Sequence, residues 1–408
     1  MSQPRRVLIL VENLPSPFDR RVWQEANSLR DAGYGVSIIC PTGKGCEKKF
    51  ESIDGIDIWR YDLRLEGEGA KGYAAEYAAA LLWTFVLAWR VFFTRGFDVV
   101  HACNPPDMFF LIGGFFKLFG KKFVFDHHDI NPELYEAKFG RRDFFYRLIL
   151  KLERWTFRTA DVSIATNESY KRIAIERGRM SPERVFVVRS GPSLERLKIG
   201  PPDESLKRGR RHLVGYVGVM GKQEGIEYLL RAAHHIVFEF ARTDVHFGLV
   251  GGGTSLAAMQ ALAAELGIAD FVTFTGRAPD QQMLAMLNTA AVCVNPDVAN
   301  EMNDKSTMNK IMEYMALAKP IVQFDLTEGR FSAQGASLYA KKNDACDLAA
   351  KIVELLDDPA RRAQMGRFGR QQVENELEWR HEAPKLLAAY QSLWPGAAVS
   401  PATRSVET

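Results

Sequence analysis

The chain has 408 residues, of which 47% are hydrophobic and 25% charged, and its formal net charge is +3. This composition is typical of a soluble globular protein with two or three domains. The modest charge and the lack of a recognised motif argue against a nucleic-acid partner.

The cysteines and the N-terminus indicate the compartment. The cysteines are scattered and form no C-x-x-C pair: Cys40, Cys46, Cys103, Cys293 and Cys346. We therefore expect a reducing cytoplasm, without structural disulfides or a zinc cluster. Arg5 and Arg6 lead directly into a short apolar run, which predicts a first core strand rather than a secretory signal.

Strands and helices are predicted to alternate in both halves of the chain. The predicted strands are 7–12, 36–40, 98–101, 123–126, 162–165 and 185–188 in the first half, and 213–218, 245–250, 271–275, 291–294 and 321–324 in the second. Helices are predicted between most of them, for example over 20–31, 73–93 and 144–159. Such alternation predicts α/β domains with doubly wound parallel sheets, whose ligands bind beyond the carboxyl ends of the strands.

Charge and composition predict the domain boundaries. Residues 1–200 hold 31 basic and 25 acidic side chains, whereas residues 201–408 hold 22 and 25. The polar, Gly- and Pro-rich stretch 200–211 predicts a linker between domains 1–199 and 212–376. A further amphipathic helix is predicted over 377–394, followed by a disordered tail over 395–408.

Two segments of the first half raise the question of a membrane. Residues 77–94 are almost continuously apolar, but strands follow on the same side of any barrier, so we predict a helix buried against the first sheet with surplus apolar surface. Residues 138–158 form a basic amphipathic pattern with aromatic side chains. This pattern is typical of a helix that adsorbs to an anionic membrane, and equally of a domain helix with its apolar stripe inward.

Three short motifs carry the candidate chemistry. The run 123–129 ends a strand with two histidines and two carboxylates, but adjacent residues of a strand point in opposite directions and converge poorly on a metal. The turn Gly251-Gly252-Gly253 lacks the spacing of a dinucleotide fingerprint. Residues 305–325 predict a polar turn, a helix starting near Ser306 or Thr307, and a buried strand. The start of such a helix is a natural anion site.

Together these motifs resemble glycosyltransferase family 4, the segments being 18–26 (FDRRVWQEA), His128-Asp129, 215–218 (GYVG) with Gly225-Ile226, 250–253 (VGGG), 272–276 (VTFTG) and 313–316 (EYMA). The resemblance covers almost the whole chain. It implies the GT-B fold, in which two Rossmann-like domains face each other across a cleft and the final helix crosses back to the first domain. It also implies a nucleotide-sugar donor in the C-terminal domain, an acceptor in the N-terminal domain, retention at the anomeric carbon, and no cofactor or essential metal.

On the donor side, Glu313 matches the second Glu of the family's E-x7-E motif, which implies a contact with the ribose hydroxyls. Lys305 stands at the position of the first Glu, and a lysine cannot accept hydrogen bonds from sugar hydroxyls. Asp304 could substitute, or Lys305 could contact the diphosphate or an acidic donor sugar. The resemblance assigns further donor contacts to Ser306, Thr307, Met308, Asn309, Gly218, Gly251, Gly253 and Arg277.

A second departure concerns the loop after the first C-terminal strand. Where the family usually has an arginine and a lysine directed at the phosphates, this chain has Val219 and Glu224. Lys222 or Lys310 could supply the missing positive charge.

On the acceptor side, the resemblance places His128 toward the donor sugar with Asp129 beside it. His128 would hydrogen-bond the sugar or the developing charge, and its alternative role is to shape the loop. The loop with Ser16, Pro17, Asp19 and Arg20 is expected to line the acceptor side, although Asp19 could equally cap the following helix.

The expected function is therefore sugar transfer to a carbohydrate acceptor, for example a lipid-linked saccharide of surface-polysaccharide assembly at the inner membrane face. A soluble transferase for a small metabolite or protein, and a catalytically silent nucleotide-sugar-binding protein, are the alternatives.

Overall fold

A computed structural model describes residues 4–62 and 69–394 of the chain. The chain folds into two compact units. The N-terminal unit contains the chain up to Ser190 together with the residues from Glu382 onward, and the C-terminal unit is Gly191–His381. The predicted tail over 395–408 lies outside the described residues.

The N-terminal unit is built on one sheet with the strand order β3-β4-β2-β1-β5-β6-β7-β8. The strands are β1 Arg6–Leu10, β2 Gly35–Pro41, β3 Phe50–Ile53, β4 Ile56–Tyr61, β5 Val99–Cys103, β6 Lys122–His127, β7 Val162–Ala165 and β8 Val185–Val187. All neighbours are parallel except β3 and β4. Every residue of β5 is buried, as expected for a parallel strand covered on both faces.

Helices connect these strands. They are α1 Arg20–Asp31, α2 Gly69–Thr94, α3 Phe110–Lys117, α4 Asn131–Phe139, α5 Phe144–Thr159 and α6 Glu168–Glu176, with a 3-10 turn at Pro182–Arg184. Asp19 caps α1 by accepting a hydrogen bond from the backbone N–H of Val22, so the capping role predicted for Asp19 is confirmed.

The C-terminal unit contains a second, fully parallel sheet with the order β11-β10-β9-β12-β13-β14. The strands are β9 His212–Val217, β10 Val245–Val250, β11 Val272–Phe274, β12 Val292–Asn295, β13 Ile321–Phe324 and β14 Ser337–Ala340. Successive strands are added on one side from β9 to β11 and then on the other side from β12, so the topological switch point lies between β9 and β12.

The helices of this unit are α7 Ile226–His234, α8 Leu256–Glu265, α9 Asp280–Thr289, α10 Glu301–Lys305, α11 Asn309–Ala316, α12 Thr327–Ala333, α13 Ala345–Asp357 and α14 Pro359–Gln372. The last helix, α15 Trp379–Gln391, begins here and continues into the N-terminal unit. Shorter 3-10 or π segments lie at Glu204–Lys207, His235–Glu239, Ala269–Phe271, Gln334–Ala336 and Val373–Leu377.

The prediction of two doubly wound parallel-sheet domains is confirmed, with two elements added. The antiparallel hairpin β3–β4 was not predicted, although Asp54-Gly55 is a typical hairpin turn and both residues have positive φ. Strand β14 was also not predicted. The helix expected to start near Ser306 or Thr307 begins at Asn309, after the separate short helix α10.

The placement of the linker over 200–211 was wrong. The chain passes between the units at Ser190 and Gly191, and residues 200–211 belong to the C-terminal unit. The backbone N–H groups of Gly200 and Asp203 donate to Asn288 and Thr289 at the end of α9. A polar, Gly- and Pro-rich segment is thus anchored by hydrogen bonds that its composition does not reveal.

Candidate active site

The loops after β9 and β12 flank the switch point of the C-terminal unit, and Tyr314 of α11 ties the two strands together. The Tyr314 hydroxyl accepts a hydrogen bond of 2.9 Å from the Val217 N–H and donates one of 3.2 Å to the Val294 carbonyl. Tyr314 is fully buried. This tie fixes α11 against the ends of both strands, where ligands of such sheets bind.

Two glycine turns meet at this edge of the sheet. The N–H of Gly218 donates to the Val250 carbonyl, and a Cβ on Gly251 would lie 1.8 Å from the Gly218 carbonyl oxygen. A Cβ on Gly253 would lie 2.5 Å from the Met220 carbonyl oxygen. Gly251 and Gly253 therefore allow two backbones to touch, as expected for a tight turn rather than a dinucleotide fingerprint. The exposed Arg277 follows Gly276, whose carbonyl accepts from the Gly251 N–H.

Lys310 is the buried cation of this site. Its Nζ lies 2.7 Å from Asp297 Oδ1 and 5.2 Å from the centre of the Tyr216 ring. Its Cε would lie 3.3 Å from a Cβ on Gly218, so the ammonium lies beneath the turn after β9. The side chain is 12% exposed. Burial opposes its charged form, but the Asp297 carboxylate raises the pKa of Lys310 above its usual range, so it stays charged.

The loop Gly218 to Gly225 contains Val219 and Glu224, the two residues at which this loop departs from the family pattern. Val219 and Lys222 are exposed, whereas the carboxylate of Glu224 turns back to accept a hydrogen bond of 3.1 Å from the Gly221 N–H. The negative charge of Glu224 also raises the pKa of Lys310 and so favours the charged form of the lysine. Glu224 therefore occupies the position at which the family pattern has a lysine, and the nearby positive charge comes instead from Lys310 on α11.

Glu313 lies one turn after Lys310 on α11 and contacts the guanidinium of Arg196. Arg196 also donates to Asp280 Oδ2 at 3.1 Å. The Glu313 side chain is 14% exposed. Arg196 was not predicted as a site residue, because nothing in the sequence around it distinguishes it from other surface arginines.

The polar turn before α11 is partly buried: Ser306, Thr307 and Met308 are intermediate in exposure and Asn309 is exposed. Asp304 accepts hydrogen bonds from the Thr327 N–H and hydroxyl, and Lys342 also approaches it. Asp304 is thus committed to the start of α12, which counts against it as a substitute for the family's first Glu. Lys305 lies 2.6 Å from Glu301 on the same short helix.

In the N-terminal unit, Arg21 organises a buried charged network that the sequence did not reveal. Its guanidinium lies 2.9 Å from Asp126, 3.0 Å from Glu25 and 2.9 Å from the Val188 carbonyl oxygen. Although burial acts in the opposite sense, Arg21 and His128 hold the pKa of Asp126 well below its usual range. Burial and the neighbouring Asp126 raise the pKa of Glu25. The ionised pair is therefore Arg21 with Asp126.

His101 and Tyr390 extend this network to the last helix. The Tyr390 hydroxyl lies 2.7 Å from His101 Nδ1, and His101 Nε2 lies 3.4 Å from Asp126. Burial lowers the pKa of His101, which favours the neutral form of its ring. Ligand atoms of Glu25, His101, Cys103 and Asp126 lie within 4.8 Å of one another. Because the Arg21 guanidinium already contacts both carboxylates of this group, we do not assign a metal to it.

His128 and Asp129 lie on a loop fixed by one amide. The side-chain oxygen of Asn104 accepts from the N–H of both His128 and Asp129, and its nitrogen donates to the Asp129 carbonyl. The His128 ring contacts Asp126 through Nε2 and is 13% exposed. Burial raises the pKa of Asp129. The loop therefore fixes the position of the His128 ring at the carboxyl end of β6.

The predicted acceptor loop is partly internal. Ser16 is fully buried, and its carbonyl accepts a hydrogen bond of 2.6 Å from Arg60. Asp19 is buried as the cap of α1, whereas Pro17 is partly exposed and Arg20 is exposed. A contact between the Ser16 side chain and a ligand would require this loop to move.

Two family models match the chain. Residues 19–196 match the model described as "Glycosyltransferase Family 4", and residues 211–358 match the model described as "Glycosyl transferases group 1". Together they cover most of each unit.

Among curated proteins, the chain is similar to 2-deoxystreptamine glucosyltransferase of Streptomyces kanamyceticus, with 27% identity over 258 residues. This match covers 60% of the chain and 64% of the relative, slightly less than two thirds of its length.

Solved structures share the fold over nearly the whole chain. Sucrose-phosphate synthase from Thermosynechococcus elongatus has a TM-score of 0.78 at 18% identity, covering 95% of this chain and 99% of the other. Anabaena HepE, solved with UDP and glucose, has a TM-score of 0.71 at 14% identity, with coverages of 95% and 99%. The chain therefore belongs to the glycosyltransferases of the GT-B fold, with a family 4 domain followed by a group 1 domain.

Proposed function

We propose that this protein is a retaining glycosyltransferase that transfers a sugar from a nucleotide-sugar to a carbohydrate acceptor without an essential metal. Lys310 carries the proposal, because it is a buried cation at the switch point with the carboxylate of Glu313 one turn later. A diphosphate needs a fixed positive charge, and ribose hydroxyls need an acceptor. The start of α11 adds backbone N–H groups and the positive helix dipole.

In the proposed reaction the bond between the sugar and the donor phosphate breaks while the acceptor oxygen bonds to the same anomeric carbon on the same face. The acceptor's proton passes to the departing phosphate. His128 hydrogen-bonds the sugar or the developing charge, with Asp129 beside it. The contact with Asp126 supports this role, since a ring held by a buried carboxylate is a positioned hydrogen-bonding group.

Incubation with a panel of UDP- and GDP-sugars, followed by assay of the released nucleoside diphosphate, tests the donor. We expect slow hydrolysis of one or a few members of the panel. Binding of a nucleotide-sugar without any release, with and without acceptors, would instead indicate the catalytically silent protein.

For the acceptor we propose a lipid-linked saccharide of surface-polysaccharide assembly, which the enzyme binds at the inner face of the cytoplasmic membrane. The support comes from one exposed face of α5, which we name the α5 stripe: Phe144, Arg147, Leu148, Lys151, Arg154, Trp155 and Arg158. All its charges are basic, and its aromatic side chains face solvent rather than the domain interior. This arrangement is typical of a helix adsorbed to an anionic membrane.

A small soluble acceptor is the second candidate, favoured by the relative that is named for 2-deoxystreptamine. Once the donor is known, transfer rates to lipid-linked and to soluble acceptors can be compared directly. Faster transfer to a soluble acceptor in the presence of vesicles would favour this alternative.

Replacing Glu313 with alanine should weaken donor binding by about tenfold or more, because each lost charged hydrogen bond contributes about 1.5–3 kcal/mol. Titration calorimetry with the preferred donor measures the effect. Glu227→Ala, on an exposed face of α7 in the same unit, is the matched control. Unchanged affinity in a folded Glu313→Ala protein would remove Glu313 from the donor site.

Replacing Lys305 with glutamate restores the family pattern, and we expect it to weaken all donors together by about tenfold, since every donor carries the same diphosphate. A shift of preference from uronic-acid donors to neutral sugars would instead show that Lys305 selects an acidic sugar. Unchanged binding and rate would confine Lys305 to its surface pair with Glu301.

A further inference from the structure

Helix α2 packs some of its large aromatic side chains against α3 and leaves other large apolar side chains exposed. Among the side chains of α2 that the structure describes, the fully buried ones are small or medium in size: Ala80, Thr84, Ala88 and Val91. Leu82, Trp83, Val86 and Phe93 are instead exposed, with Phe93 at 77%. A helix that covers a sheet normally turns its large apolar side chains inward. The outer surface of α2 therefore carries apolar area that its own domain does not cover.

The exposed side chains of α2 continue onto α3. The Trp89 ring stacks on Phe93 at 5.2 Å and meets Phe119 edge-on at 5.6 Å. Leu118, at the end of α3, is 81% exposed. We name this surface the α2–α3 face, and it consists of Leu82, Trp83, Val86, Phe93, Leu118 and Phe119. Large exposed apolar patches on a protein commonly mark sites of interaction with a protein, a membrane or a ligand.

A bilayer crossing does not explain this helix. By length and composition, Glu76–Thr94 is the one helix among the described residues that could span a membrane, and 22% of it is buried. The strands on either side of α2 in the chain, β4 and β5, belong to the same sheet. A crossing would separate these strands, so α2 lies along the surface of the N-terminal unit.

The neighbourhood of the α2–α3 face indicates its partner. Phe110 of α3 meets Trp155 of the α5 stripe at 6.0 Å, and Lys117 donates to the Thr159 carbonyl at the end of α5. Helix α3 thus joins the apolar face to helix α5, whose stripe carries four exposed basic side chains. A second copy of the chain on this face would bring two α5 stripes of like charge together, whereas anionic headgroups would neutralise them. Charge complementarity therefore favours a lipid surface.

We propose that the α2–α3 face inserts among the acyl chains of an anionic membrane while the α5 stripe binds the headgroups. The inference deepens the proposed membrane attachment of α5 and rests on it. The face supplies a part of the binding that does not depend on salt, since it buries apolar area, and the stripe supplies the part that salt screens.

Binding to vesicles of phosphatidylglycerol and phosphatidylcholine, measured by co-sedimentation at low and high salt, separates the two parts. The face variant combines Trp83→Ser, Phe93→Ser and Leu118→Ser at exposed positions. We expect it to keep salt-sensitive binding but to lose binding at high salt by about tenfold or more, because its serine side chains no longer bury apolar area among the acyl chains. The stripe variant, Arg147→Gln with Lys151→Gln, should show the opposite pattern.

Matched controls distinguish insertion from a general loss of apolar surface. The control variant combines Ile199→Ser, Phe238→Ser and Phe331→Ser, exposed apolar positions in the C-terminal unit, and should bind as the parent does. Quenching of tryptophan emission by brominated acyl chains should fall in Trp83→Phe.

Three outcomes would overturn the inference. The face variant could bind vesicles at high salt as well as the parent does, or the quenching could be unchanged in Trp83→Phe. The third is a parent protein that is a dimer in solution and that the face variant converts to monomers. Donor hydrolysis without vesicles is measured in parallel. Because the face variant should retain it, failure of the membrane inference and failure of the proposed transferase activity are told apart.

Discussion

Replacing Arg21 with methionine is expected to destabilise the N-terminal unit by about 3–5 kcal/mol, the usual cost of removing one partner from a buried ion pair. Arg21 is 7% exposed and contacts the carboxylates of Asp126 and Glu25, neither of which reaches solvent. Without the guanidinium, Asp126 must stay charged without its partner or take up a proton. Urea unfolding with hydrogen exchange at β1 and β6 measures the loss in this unit, because a protein with two domains need not unfold in a single step.

Arg20→Met is the matched control, because Arg20 is the exposed neighbour of Arg21 on the same helix. It should change the free energy of unfolding by less than about 0.5 kcal/mol. Adding Asp126→Asn to Arg21→Met should recover part of the loss, since the unpaired charge is then removed. If Arg21→Met unfolds at the same urea concentration as the parent, the network is not what holds α1, β6 and the Val188 carbonyl together.

The sheet architecture was predictable because parallel strands buried on both faces leave a continuous apolar run in the sequence. The missed hairpin had a local signal as well: Asp54-Gly55 stands between alternating residues over 50–61. The linker error has a different origin. The anchors of Gly200 and Asp203 are Asn288 and Thr289, far away in sequence, and composition carries no information about them.

The donor side of the site was only partly predictable from the sequence. Comparison with the family pattern identified Val219, Glu224 and Lys305 as unusual residues. It did not show that Lys310, rather than Lys222, would be the buried lysine. That follows from Asp297 and Tyr216, which meet Lys310 once β9 and β12 are adjacent. The sequence left Lys222 and Lys310 equal, whereas the structure places Lys222 in solvent.

The two surface helices show the limit of periodicity. The 3.6-residue pattern of α5 was visible in the sequence, but which face turns outward depends on the neighbours of the helix. Glu153 points inward, where its carboxylate contacts Arg177 and His127. Phe144 and Trp155 therefore lie on the outward face of the helix. In α2 the nearly uniform apolar composition gave no direction at all.

Replacing Lys310 with methionine is expected to weaken donor binding by about 10–100-fold, the effect of losing a charge-assisted contact with a diphosphate. Lys310 lies against Gly218 in the turn after β9, and Lys222→Met, on the exposed part of that loop, serves as the control. Calorimetric titration with the preferred nucleotide-sugar gives the affinities. Comparable losses in both variants would mean that diffuse positive charge, rather than Lys310, attracts the donor.

The same change also removes the partner of Asp297, so Lys310→Met alone confuses a loss of the donor contact with a loss of stability. The double variant Lys310→Met with Asp297→Asn separates them, because a neutral amide no longer needs the ammonium. Thermal unfolding of the double variant should return toward that of the parent, while donor affinity stays low. If affinity returns together with stability, Lys310 acts as a counter-ion for Asp297, and the diphosphate must find its positive charge elsewhere at the switch point.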